Sequence, residues 1–434
     1  MEPERFVTMV FDGDVGPDAA RLAAELERLG VGTATVVAQS DGTRRFRSGE
    51  LRGIGGLAAL RRALRAADRD VDVVHAYGLR AALAVALARP GRTPFVVSLA
   101  EAPPAAGSLV TRAIHRAVFP AAAAVLVPTP ALAEAVSPLG AREVRVVPPP
   151  VPDPLVARRT PEQVREELAL SPDGPIVLAA GRLHPDTRLD VLVEAAARWR
   201  PRHPRPQVVL VGVGPAYRPL VAQATVARAP VIFAGARAWP TGAADGTGPE
   251  GAATERTATA SSRTVTVADR PVMTAERTVA VTERTNPGPD AGEGEPAAPF
   301  AVTGEQPDRE VGEEERASLA DLLAAASVAV VTDPWAQPGF ALAAARAGVA
   351  LVVAAGGTVA GLFPEGVTTV PPGDADALDE AVAALLDDPS ARADLVATAR
   401  RHVAGWPDAA AVAGELAELY ATVGRAAEAS DTPG

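Results

Sequence analysis

The sequence predicts an α/β protein built from two Rossmann-like, doubly wound domains, with a disordered insertion in the second. Three observations carry this. Short apolar runs alternate with amphipathic helical runs, the pattern restarts after a proline-rich stretch near residue 150, and periodicity collapses between residues 238 and 314. Strands that alternate with helices imply parallel sheets covered on both faces. A chain of 434 residues with 48% hydrophobic content also exceeds what one core usually serves.

Residues 6–11 read as a buried strand, and Gly13, Asp14 and Gly16 form a loop before a helix opened by Pro17 and closed by Gly30. Further strands are expected at residues 31–37, 71–75, 95–99, 124–127 and 144–147. After VVPPPVPDP and a capped helix from Thr160, the second set begins with IVLAAG at Ile176. It continues through VVLVGVG, VIFAG, SLADLLAAASVAVVTD and LVVAAGG. The expected division is residues 1–170 as the first domain, 171–237 with 315–405 as the second, 238–314 as the insertion, and 406–434 as a helical return to the first domain. The insertion is rich in Gly, Pro, Thr and acidic residues and offers no continuous apolar face, which predicts disorder. Its β-prone runs at 264–267 and 278–281 leave a hairpin as the alternative.

Composition excludes several chemistries. A net charge of −11 opposes attraction to nucleic acid. The absence of cysteine removes disulfides, thiolate metal sites and thiol nucleophiles together. No integral membrane segment is expected, because the best apolar stretch, residues 119–132, is broken by Pro120, Pro128 and Pro130. The opening residues lack the basic and apolar regions of a signal peptide, so a cytoplasmic protein is expected, with peripheral membrane association left open. Every cation counted as Lys or Arg is arginine, so phosphate binding must use the planar guanidinium. Neither His115, His184, His203 nor His402 has metal-ligand spacing, and no metal is expected.

The most informative string is GRLHPDTRLDVLVEAAARW at 181–199, in which a strand ends in Gly181, Arg182 follows at once, and a helix begins after a short loop. An arginine so placed faces the crevice at the carboxyl ends of the strands. Together with VGVGP at 211–215, VIFAGAR at 231–237, VPPGDADAL at 370–378, AVLVPTPALAEAV at 124–136 and DVVHAYG around His75, this string resembles glycosyltransferase family 4, in a form of actinobacterial type with a degenerate donor site. The resemblance covers the chain outside the insertion and implies the GT-B architecture.

The resemblance further implies retaining transfer from a nucleotide-diphosphate sugar to a glycan or small-molecule acceptor, with no other cofactor. Gly181, Arg182, Gly212, Gly214, Gly356 and Gly357 would bind the donor, and Gly13, Asp14 and Gly16 would form the acceptor-side loop. His75 matches a family position lining the crevice, and a satisfied core histidine is the competing reading. For Arg182 the competing reading is a local pair with Asp186, and for Gly356 and Gly357 an ordinary turn.

Against the family pattern, Thr187 stands where a lysine is expected, with Arg188 the adjacent cation. Trp335 and Ala343 stand where two donor-binding glutamates belong, and Ala100 and Ala360 replace a further histidine and glutamate. Carboxylates accept hydroxyl hydrogen bonds that indole and methyl groups cannot. These departures imply impaired catalysis; the alternative is a non-catalytic nucleotide- or glycan-binding accessory of an active glycosyltransferase.

Overall fold

The computed structural model describes residues 5–12, 17–38, 71–88, 93–104, 107–237, 263–267, 316–334 and 336–431. In the first lobe, β1 (Arg5–Asp12), α1 (Pro17–Arg28), β2 (Val31–Ala38), β3 (Val73–Tyr77), α2 (Leu79–Ala88), β4 (Phe95–Ser98), α3 (Leu109–Val118), β5 (Ala124–Val127), α4 (Pro130–Val136) and β6 (Val144–Val146) follow one another. The strands are parallel in the order β2-β1-β3-β4-β5-β6. β5 is buried along its whole length, as a strand covered on both faces must be.

The second lobe follows α5 (Pro161–Glu167) and contains β7 (Ile176–Ala180), α6 (Leu189–Ala197), β8 (Gln207–Val211), α7 (Tyr217–Ala227) and β9 (Val231–Gly235). After the insertion come α8 (Leu319–Ala325), β11 (Val328–Val331), α9 (Gly339–Ala347), β12 (Ala350–Ala354), α10 (Thr358–Leu362), β13 (Thr368–Val370), α11 (Ala375–Asp387) and α12 (Pro389–Ala404). Its sheet runs β13-β12-β11-β7-β8-β9, again parallel. α9 is buried from Gly339 through Ala345, because its GFALAAA sequence presents small apolar groups on every side.

α13 (Ala409–Asp431) crosses back to the first lobe and packs against α1 and β3. Val412, Leu416, Leu419 and Tyr420 join Met9, Phe11, Leu22 and Leu26 in one core. At the crossing, the Val151 N–H donates to the Pro407 carbonyl at 2.9 Å, tying the two interlobe strands of chain together.

Within the insertion, the structure differs from the expected disorder at one place. Arg263–Val267 forms β10, which pairs parallel to β2 with Val265 opposite Val36 and extends the first lobe's sheet. The free N–H and C=O groups along the β2 edge supply the reason, since an alternating Thr-Val segment completes the ladder. Residues 238–262 and 268–315, including 278–281, lie outside the described residues.

Both ends of the insertion meet one carboxylate. Glu167 accepts hydrogen bonds from Arg237 at 2.9 Å and from the Ala317 N–H at 2.8 Å, and pairs with Arg159 at 3.0 Å. Bringing the stems together in this way lets a long excursion leave the second core unchanged.

Candidate active-site crevice

In a doubly wound sheet the strand order reverses at a switch point, and the crevice there opens at the carboxyl ends of the strands. The reversals lie between β1 and β3 in the first lobe and between β7 and β11 in the second. The lobes touch at these ends. Thr358, just after β12, donates its hydroxyl to the carbonyl of Ala100, just after β4. Its own N–H donates to the Pro334 carbonyl at 2.9 Å. Gly361 lies against Thr129 after β5, with room for a Cβ only in van der Waals contact at 3.5 Å.

Gly181, Gly212 and Gly214 come together at the ends of β7 and β8. A Cβ on Gly212 would stand 1.8 Å from the Gly181 carbonyl oxygen, and one on Gly214 would stand 2.3 Å from that of Leu183. The backbones are cross-linked by Gly181 N–H to Val211 O at 3.0 Å and Leu183 N–H to Val213 O at 2.9 Å. Arg182 extends exposed from this pair of loops. Across the reversal, Gly356 takes a φ of 76° with open space beside it. Gly357 packs its backbone on Pro334, whose oxygen a Cβ would meet at 1.7 Å.

Thr187 closes a short helical turn, Pro185–Thr187. Its hydroxyl donates to the His184 carbonyl at 2.7 Å, and its own carbonyl accepts from Thr332 at 2.6 Å, so this turn is fastened to the end of β11. Arg188, the adjacent cation, is engaged locally. It takes a left-handed φ of 53°, pairs with Asp190 at 3.3 Å and lays its guanidinium over Gly373. Asp186 pairs with His184 at 3.2 Å.

His75 sits on the floor of the first lobe with no exposed surface. Its Nδ1 is 2.6 Å from the Tyr420 hydroxyl and its Nε2 is 2.8 Å from the Ser98 hydroxyl, while its ring stacks on Tyr77. Burial lowers its pKa from 6.5 to about 3, and both ring nitrogens are engaged, so the imidazole is a neutral core group in this conformation.

Ala343 is fully buried in the core between α9 and the sheet, facing no solvent, and Ala360 packs at the edge of the same core. Trp335 and the loop residues Gly13, Asp14 and Gly16 lie outside the described residues. Among the described residues no group of His, Asp and Glu is arranged to hold a metal ion, and no helix is long and apolar enough to cross a membrane.

The sequence reading passed over Glu101, Asp333 and Thr358. Glu101 follows Ala100 on the first lobe, and Asp333 precedes Pro334 on the second. Loss of water in the crevice raises the Glu101 pKa; the negative charge of Asp333 adds to the rise, and Arg80 opposes it. The available signal was position, since each of the three stands just beyond the carboxyl end of a buried strand.

Comparison with known proteins places this geometry. Residues 13–151 match the family described as glycosyl transferase 4-like domain. No curated protein matches the chain. Among solved structures, sucrose-phosphate synthase from Thermosynechococcus elongatus is 17% identical, with 98% of this chain and 100% of that one covered at a TM-score of 0.64. Anabaena HepE in complex with UDP is 15% identical, with 96% and 100% covered at a TM-score of 0.61. WaaG, a glycosyltransferase involved in lipopolysaccharide biosynthesis, is 14% identical, with 95% and 99% covered at 0.58. The first lobe thus resembles a glycosyl transferase 4-like domain over residues 13–151, and the whole chain has the two-lobed GT-B fold of these proteins.

Proposed function

We propose that this chain holds a nucleotide-diphosphate sugar in the interlobe crevice and transfers the sugar slowly, with retention, to a glycan or small-molecule acceptor. The supporting observation is the state of position 187. A departing diphosphate needs positive charge where its own charge develops. Arg182 offers one guanidinium at the mouth of the Gly181 loop, whereas Thr187 offers none and Arg188 is turned away onto Gly373 and Asp190. Removing one preorganised stabiliser typically costs about 10²- to 10³-fold in rate. The buried Ala343 adds no carboxylate for the donor.

The backbone around the crevice suits a phosphate group. Gly356, with open space beside it, and Gly357 directly precede Thr358, and Gly181 and Gly212 approach closely, so no side chain of these glycines would bar a phosphate from the backbone. HepE was solved with UDP and with UDP-glucose, which makes uridine nucleotides the first probes for this chain.

The test is calorimetric titration of wild type and Arg182→Ala with UDP, GDP and UDP-glucose, paired with a turnover assay on UDP-glucose. Binding by the wild type, weakened in Arg182→Ala at unchanged melting temperature, is the expected result, with turnover slow in both. Failure of the wild type to bind either nucleoside diphosphate would overturn the donor site. Fast turnover lost on Arg182→Ala would overturn the slow-transfer reading, and binding without any turnover would assign the chain an accessory role.

A further inference from the structure

The second lobe carries a cavity of about 510 Å³ on the side away from the crevice, at the amino ends of its strands. Ser327 and Gly348, which come just before β11 and β12, form one wall, and α12 forms the other. Arg392, Val396 and Arg400 stand at i, i+4 and i+8 on α12 and share one face. The groove therefore has a guanidinium toward each end and an apolar floor between, where Ala397 lies beside Val396. Among the described residues no carboxylate lines it.

Each guanidinium is seated against the carboxyl end of a helix. Arg392 donates to the Leu385 carbonyl in the last turn of α11 at 3.0 Å. Arg400 lies along Gly348, the residue that closes α9, and its Nη1 would stand 3.3 Å from a Cβ there. Helix carboxyl ends carry partial negative charge and hold cations in place. A guanidinium has five N–H donors, and these contacts leave most of them unspent. Ser327 spends its N–H on the Ile176 carbonyl at 2.8 Å and adds a hydroxyl to the same cavity. Asp388, the acid that opens α12, is turned onto the N–H groups of Ser390 and Ala391 at 3.0 and 2.9 Å.

These donors suit an anion, and their spacing selects its shape. Eight residues of helix separate the two arginines, a rise of about 12 Å, so a single oxyanion does not fill both forks while each stays on its own helix end. A phosphate offers several oxygens, which a planar fork and a neighbouring hydroxyl can share. The volume is that of a small-molecule site. We propose that this groove binds a small molecule phosphorylated at both ends, of the sugar bisphosphate class, with Arg392 and Arg400 each taking one phosphate. The site is separate from the nucleotide crevice, which opens at the opposite ends of the same strands.

The experiment is calorimetric titration with fructose 1,6-bisphosphate, glucose 6-phosphate and inorganic phosphate, in wild type, Arg392→Gln, Arg400→Gln, Ala397→Glu and Arg182→Ala. The wild type should bind the bisphosphate about tenfold or more tighter than either single phosphate, since a second charge-assisted fork is engaged. Arg392→Gln and Arg400→Gln should each remove about that factor and bring the bisphosphate down to the level of glucose 6-phosphate. Ala397→Glu sets a carboxylate on the exposed floor and should abolish binding at an unchanged melting temperature. Arg182→Ala should bind the bisphosphate as the wild type does. A wild type that binds no bisphosphate, or binds it no tighter than inorganic phosphate, would overturn the proposal. Binding that survives both arginine-to-glutamine variants and falls in Arg182→Ala would put the bisphosphate in the crevice and overturn it as well.

Discussion

Acidification should expose the buried state of His75. In the unfolded chain its imidazole takes up a proton near its ordinary pKa of 6.5, while in the fold it stays neutral down to about 3. Between those values the unfolded state binds the extra proton, so stability is full above 6.5 and is lost progressively as pH falls. Each unit in the window costs about 1.4 kcal/mol, so a sample taken to about pH 5 loses about 2 kcal/mol through this residue alone. The assay is urea unfolding followed by circular dichroism at about pH 7.5 and about pH 5 in wild type and His75→Gln, whose amide can still reach Ser98 and Tyr420 but does not titrate. Burial also lowers the pKa of His115, and that contribution cancels because it is common to both proteins. The wild type should lose about 2 kcal/mol more than the variant over this interval. Equal losses would show that the imidazole is protonated in the fold and would return it to the crevice as a titrating group.

Three substitutions test other parts of the structure. Gly212→Ala puts a methyl 1.8 Å from the Gly181 oxygen at a φ of 142°, and should cost about 2 kcal/mol or more in urea unfolding as the two loops separate. Ala343→Glu forces a carboxylate into a fully buried apolar helix and should lower stability by about 3 kcal/mol or more, without gaining nucleotide affinity. Glu167→Ala leaves the guanidinium of Arg237 buried without its carboxylate and should cost about 3 kcal/mol, visible as early proteolytic cutting at the stems of the insertion.

Most strands of both lobes were legible because a parallel strand buried on both faces reads as an unbroken apolar run, whereas the short, partly exposed β13 was not expected. LVVAAGG and AVLV announce β12 and β5 without any tertiary knowledge. Helix starts were legible where a cap is local, as at Thr160 with its Gln163 partner. β10 was not, since its pairing depends on an edge more than two hundred residues away in sequence. The functional geometry was less legible still. Gly212 looks like any loop glycine until the Gly181 carbonyl is placed beside it, and the bridge from Thr358 to Ala100 joins residues 258 apart. His75 carried two readings in the sequence, and only the hydroxyls of Tyr420 and Ser98 show where its ring nitrogens go.

Of the two departures at the diphosphate cation and the donor carboxylates that lie within the described residues, position 187 is the one whose surroundings leave room for reversal. Ala343 is sealed in the core, so a carboxylate there meets apolar groups before it meets any ligand. Thr187 is half-buried, and its side chain makes one hydrogen bond, to the His184 carbonyl. The turn itself is held by the backbone, through the Thr187 N–H to His184 O at 3.1 Å and through Thr332 on the Thr187 carbonyl. Thr187→Lys keeps both backbone bonds and loses the hydroxyl contact, a cost of about 1 kcal/mol. An ammonium carried from this Cβ on a flexible stem should strengthen UDP binding about tenfold, because a hydrogen bond to a charged group is worth about 1.5 to 3 kcal/mol. Titration of the variant with UDP, after urea unfolding has shown the fold intact, measures this directly. An unchanged affinity would mean that residue 187 does not look toward a diphosphate, and the slow transfer would then need a cause other than the missing cation.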